Sequence, residues 1–310
     1  MKSRNVYTSN ITSISEHKVL RLQLKGSQTW FSLIPTYGGA LNEYVVNGKP
    51  ICLGVLSEKE MQSQTEQAYS GAQLFPYPNR VNNATYHYNG QSYGLPKNDT
   101  PLPHALHGLV YNQSFTVESI DHKNGVIKTN YRYKKNHPGF PFEAHIENTF
   151  KLQHDALTIT TCVENIGQQE FPLGHGWHPY FKVDDIVDDC SLQIFGNEHF
   201  PVNENLIPYG SVETIEDFLE LKNIGTKNLN HCFKLKTDKD IKAILKTHTY
   251  NVIMELKGYD YLQIYTPPDR KNIAIEPQTC APNAFNNQIG LLYLKPKKKI
   301  ELKFKIKICT

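Results

Sequence analysis

Gly174-His175-Gly176-Trp177-His178-Pro179-Tyr180-Phe181 sets two imidazoles, an indole and a phenol beside two glycines within eight residues. Histidine gives or takes a proton near neutrality, its unperturbed pKa being about 6.5. Aromatic rings add flat apolar faces on which a ligand can stack. His178 precedes proline, which pushes it out of the helical region, and Gly174 and Gly176 also argue against helix. In an extended segment His175 and His178 face opposite sides. A His-x-x-His metal pair, which needs both rings on one helical face, is therefore the weaker reading.

Three further segments carry polar chemistry. In Phe75-Pro76-Tyr77-Pro78-Asn79-Arg80-Val81, two prolines stiffen the approach to an arginine whose fork of donors suits ligand oxygens, although a surface salt bridge would explain it equally well. Pro103-His104-Ala105-Leu106-His107-Gly108 sets His107 against a glycine, as a hydrogen-bonded loop histidine would also be set. Ile273-Ala274-Ile275-Glu276-Pro277-Gln278 closes an apolar run on a carboxylate. Partial desolvation there raises the carboxyl pKa toward values useful in a general base, while the plain alternative is a strand-end carboxylate turned to solvent.

The elements that must position these residues read as strands. Ile300, Leu302, Phe304, Ile306 and Ile308 alternate with charged residues, the mark of a half-buried strand. Ile146 to Leu152 and Leu157 to Val163 flank the polar turn His154-Asp155 as a hairpin. Tyr86-His87-Tyr88 and Ser92-Tyr93 flank Asn89-Gly90, whose residues supply the positive φ angles of a type I′ turn. Val252 to Leu256 and Tyr261 to Tyr265, split by Lys257-Gly258-Tyr259-Asp260, suggest a third hairpin. Only Ser57 to Gln67 and Val212 to Leu221 could be short helices, and both are polar enough to be loops. The 310 residues contain no linker and no repeat, which suggests one large all-β antiparallel sandwich domain over residues 1–310 rather than a propeller or solenoid.

Composition narrows the function classes. The formal charge of +3, from 33 basic and 30 acidic residues, does not indicate nucleic-acid binding. Six scattered cysteines without a Cys-x-x-Cys pair argue against zinc clusters and a disulfide framework, and favour a reduced setting. With no apolar signal core and no run of the ~18 apolar residues a membrane span needs, a cytoplasmic protein without membrane partners is expected.

Together these motifs resemble one family, the aldose 1-epimerases or mutarotases of the galactose mutarotase-like superfamily. Its pieces occur in order: Tyr37-Gly38-Gly39-Ala40-Leu41, Pro76 to Val81, Asn89-Gly90 through Asn98 into Leu106-His107-Gly108, His178-Pro179-Tyr180-Phe181, then Glu276-Pro277-Gln278 with Pro282-Asn283-Ala284-Phe285-Asn286. The resemblance implies a β-sandwich with an open sugar cleft, working without a metal or other cofactor on a small sugar, as a monomer or homodimer. It implies Glu276, as an ionised carboxylate, for the general base and His178, as a protonated imidazole, for the general acid. Arg80, His107, Asn79, Asn230 and Gln278 are the implied sugar-binding residues. Asn230 stands where the family usually carries an aspartate, trading a charge-assisted acceptor for an amide. His175 is expected to be a hydrogen-bonded supporting or packing residue, and Trp177, whose ring could stack on a sugar face, to pack in the core. A free aldohexose is the leading substrate. A sugar phosphate, with Lys97 as the suggestive cation, and a non-catalytic sugar-binding protein are the alternatives.

Overall fold

The computed structural model describes residues 6–62, 69–236, 238 and 240–309. Two antiparallel sheets face each other. The first runs in space from Tyr7–Ile14 through His17–Leu24, Trp30–Ile34, Ala40–Val46 and Lys49–Cys52 to Tyr180–Lys182, then Asn272–Gln278, Tyr261–Tyr265 and Asn230–Lys234. Gly176–Trp177 attaches to it between Asn272–Gln278 and Gln73–Leu74. The second centres on Glu143–Leu152, Ala156–Asn165, Lys299–Cys309 and Asn251–Lys257.

The alternation in the last strand settles which face is inward. Leu302, Phe304, Ile306 and Ile308 are buried while Glu301 and Lys303 are exposed. Phe304 then meets Trp177 of the opposite sheet with ring centroids 6.0 Å apart, and Phe150 meets Trp177 at 5.9 Å. Trp177 is thus a core residue, as its parity opposite to His178 requires.

Two hairpins form as their patterns indicate. Leu152 pairs with Leu157 across the His154-Asp155 turn, and Thr85–Tyr88 pairs with Gln91–Gly94 about Asn89 and Gly90, both at positive φ. The third does not form. Asn251–Lys257 belongs to the second sheet and Tyr261–Tyr265 to the first, so the chain crosses the sandwich between them. The reason is Tyr259, which is buried and hydrogen-bonded to His175. A connection whose middle residue belongs in the core makes an arch, and alternation in the flanking runs does not distinguish an arch from a hairpin. Val212 to Leu221 is not a helix; it holds the short strand Glu213–Thr214 and otherwise irregular chain, having no apolar face to pack. Within Ser57 to Gln67 a single helical turn, Glu58–Met61, forms with Ser57 as its N-cap, and residues 63–67 lie outside the described residues. No helix among the described residues is long and apolar enough to cross a membrane.

Candidate active site

Glu276 and His178 are brought together by strand register. Gly176 pairs with Gln278 and Tyr180 with Ala274, so the residue between, His178, falls opposite Glu276. Pro179 has no N–H for the ladder, which opens the pairing at this point. His178 Nε2 lies 3.4 Å from Glu276 Oε1, and both side chains are buried, at 6% and 2% exposure. Tyr180 stacks on the His178 ring at 4.8 Å. The pair lines a cleft of about 600 Å³ together with Asn79, Arg80, His107 and Asn230.

Burial decides where the proton sits. It pushes the Glu276 carboxyl up to about 8, against the opposing hydrogen bond from Gln278 and the Arg80 charge. It pushes His178 down to about 3. A 3.4 Å approach would also suit an ion pair. For two groups this deep, separated charge is costly to desolvate, so burial favours a carboxylic acid beside a neutral imidazole over an ion pair. The ionised pair expected from the sequence is the form that burial opposes.

His107 reaches the pair from a strained loop. Its φ is 59°, in the left-handed region that non-glycine residues avoid, and Asn79 opposite it has φ 56°. The two hold each other: His107 N donates to Asn79 O, and Asn79 N donates to His107 Nδ1 at 3.2 Å. Gly108, at φ 82°, is required next, because a Cβ there would stand 2.2 Å from the Phe75 carbonyl oxygen. With Nδ1 accepting, Nε2 of His107 carries the proton. Burial, with His178 and Arg80 nearby, holds this ring well below the usual histidine range and therefore neutral. Ligand atoms of His107, His178 and Glu276 lie within 4.8 Å of one another, a spacing a metal ion could use. His107 nevertheless presents an N–H there instead of a lone pair, so the three do not complete a ligand set.

The remaining residues sort by position. Arg80 donates from Nε and Nη2 to the two oxygens of Asp99, at 2.7 and 3.2 Å. Asn283 N donates to Arg80 O, and Asn283 Oδ1 accepts from Asn82 N, which gives the Pro282 to Asn286 motif a bracing role. Asn79 donates to Gln263, which donates to Asn230 Oδ1 at 2.8 Å, an amide chain across the cleft floor. Gln278 departs from its expected role. It is fully buried outside the cleft lining, and its amide donates to Glu276 Oε2 at 3.0 Å, so it supports the carboxyl from behind. Lys97 is exposed and does not line the cleft. His175 is fully buried, with Gln73 donating to its Nε2 at 2.8 Å and Tyr259 on its Nδ1 at 3.1 Å. Asp99, Gln263, Tyr69 and Tyr265 escaped the sequence reading. Only Asp99 and Tyr69 left a signal, lying near motif residues but in no motif.

Asn230 invites a direct test. Its Oδ1 is engaged by Gln263, and a carboxylate would keep that bond while offering a second, charged oxygen to a hydroxyl. Asn230→Asp is expected to lower KM for a neutral aldose about threefold to tenfold with little change in kcat, measured by initial-rate polarimetry. An unchanged or raised KM would remove Asn230 from the binding set.

Comparison with known proteins shows the family and the fold. The family model described as aldose 1-epimerase matches residues 21–307. The uncharacterized protein YihR of Escherichia coli is 29% identical over 286 residues, covering 89% of this chain and 90% of that protein. A galactose mutarotase-like protein from Clostridium acetobutylicum superposes with a TM-score of 0.86 at 23% identity, over 99% of this chain and 100% of that one. A galactose 1-epimerase from Lactobacillus acidophilus gives 0.80 at 16% identity, over 98% of each chain. With the match running from the second strand of the first sheet almost to the end of the last strand, this chain belongs to the aldose 1-epimerase family.

Proposed function

We propose that the protein is a mutarotase that interconverts the α and β anomers of a free, neutral aldohexose. The observation that carries this is a buried carboxyl and imidazole 3.4 Å apart at the wall of a polar cleft. Anomer exchange needs one group to take the proton of the C1 hydroxyl while another protonates the ring oxygen. On sugar binding, the proton passes from Glu276 to His178 Nε2. Glu276 carboxylate then takes the C1 hydroxyl proton, His178 gives its proton to the ring oxygen, and the bond from C1 to the ring oxygen breaks. The aldehyde forms with Glu276 protonated and His178 neutral, the arrangement burial also favours in the resting pair. Rotation about C1–C2 exposes the other carbonyl face. Reclosure sends both protons back, with the N–H of His107 and the guanidinium of Arg80 as fixed donors beside the pair.

The pH dependence follows from the proton count. The pair works while it holds one proton, so kcat/KM is expected to be level from about pH 4 to 7. It should then fall roughly tenfold per unit above about pH 8, where Glu276 loses that proton. A corresponding acid limb lies near pH 3, where His178 would gain a second. Rates measured by NMR exchange from pH 4 to 10 that stay flat between 5 and 9 contradict the roles.

The cleft speaks against the alternatives. Arg80 is the one Lys or Arg lining it among the described residues, and its charge is already met by Asp99. That is little provision for a phosphate. A non-catalytic binder has no use for two buried ionisable groups that cost stability. The deciding experiment is polarimetry of freshly dissolved α-anomers of several hexoses. Equilibration no faster than in buffer, for free and phosphorylated sugars alike, removes the enzymatic reading.

A further inference from the structure

Asp99 stands behind Arg80, outside the cleft lining, and nothing in the reaction requires it to touch the sugar. Its position is nevertheless closely fixed. Arg80 pairs with Leu106 in a two-residue ladder. Asn98, next to Asp99, clamps that same Leu106: Leu106 N donates to Asn98 Oδ1 at 2.7 Å, and Asn98 Nδ2 donates to Leu106 O at 3.0 Å. Asn98 Nδ2 also reaches the Tyr69 hydroxyl at 3.0 Å, and Asn98 N donates to His104 O. The guanidinium and the carboxylate are thus anchored to one residue and meet in a two-point contact, with side chains only 16% and 11% exposed.

We propose that Asp99 is a positioning residue that makes the cleft selective for uncharged sugars: it holds the Arg80 fork toward the sugar and cancels its charge. Arg80 Nη1 makes no hydrogen bond to the described residues, which leaves it for a hydroxyl. A hydroxyl gains from a fixed N–H donor whatever the net charge behind it. An anionic substituent instead meets a guanidinium whose strongest donors are taken and a carboxylate it repels. Asp269, also lining the cleft and exposed, adds a second negative group. The inference rests on the mutarotase reading and deepens it, since it names the charge class of the substrate.

The test compares kcat/KM for D-glucose and D-galactose with that for D-glucose 6-phosphate and D-galacturonate, by NMR exchange at pH 7, in wild type, Asp99→Asn and Asp99→Glu. Wild type is expected to handle the neutral sugars at least about tenfold better. Asp99→Asn is expected to lose about tenfold on neutral sugars, as Arg80 loses a charged partner, and to gain about tenfold on anionic ones. Asp99→Glu restores the exclusion of anions. A merely structural role lowers both classes in equal proportion, and that result overturns the proposal. So does a wild type indifferent to charge, which needs no folded variant to observe. A wild type inert on every sugar overturns the mutarotase reading as well, whereas activity without a shift in selectivity overturns only the role of Asp99.

Discussion

Glu276→Gln is expected to lower kcat by about 10³ to 10⁴-fold while leaving the fold intact, and His178→Asn to do nearly the same. Glutamine keeps the shape and can still accept from the Gln278 amide, so the loss reports the missing proton carrier and not a collapsed site. Because the two groups pass one proton between them, the double variant should be scarcely worse than either single one. Single-turnover NMR on α-D-glucose measures this, and a loss under tenfold in either single variant would remove that residue from the reaction. The same substitution carries a stability signature. The folded-state carboxyl sits at about 8 against an ordinary 4.5, so the folded protein holds this proton where the unfolded chain has released it. The stability linked to that proton is complete below about pH 4.5 and is lost as pH rises through 8. Glutamine does not titrate. The melting temperature of Glu276→Gln relative to wild type should therefore climb between pH 5 and pH 9, and a constant difference would contradict the raised carboxyl pKa.

Trp177→Ala is expected to cost about 3–5 kcal/mol, the largest stability loss of any single truncation considered. The indole is 1% exposed and wedged between Phe150 and Phe304 of the facing sheet. Its Nε1 donates to Thr161 Oγ1 at 3.3 Å, while Thr161 itself donates to Asn148. Truncation opens a cavity between the sheets, but Thr161 keeps a partner, so the cost is mainly one of packing. Trp177→Phe should recover more than half of it. Denaturant unfolding followed by fluorescence of the remaining tryptophan, Trp30, measures both. A cost under about 1 kcal/mol would mean that the sandwich closes over the gap.

What could be read from the residues depended on the range of the interaction. Local signals were dependable: Asn89-Gly90 gave its turn, and the alternation from Ile300 to Ile308 gave the inward face. His178 and Glu276 were legible because their motifs are dense, although only the register of neighbouring strands places them side by side. Pairings decided in the core were not legible. Tyr259 turned an apparent hairpin into an arch because its hydroxyl meets a histidine more than eighty residues earlier in the chain. Gln278 was misplaced because it shares the Glu276 face of its strand, and motif membership does not say how far along that face the cleft extends; at Gln278 the chain is fully buried opposite Gly176. The direction in which burial pushes the two groups was hidden as well, being set by how deeply both are buried.

The interlocked loops at Asn79 and His107 have an evolutionary side. Glu276 lies within a sheet strand and His178 is held between two short strands paired to it, where a shift of register would disrupt the core. The groups that would read hydroxyls at Arg80 and His107 come from loop ends and from a ladder only two residues long. Loops accept substitution far more readily than ladders. Descendants of such a scaffold can therefore change their diet of sugars while inheriting the chemistry unaltered.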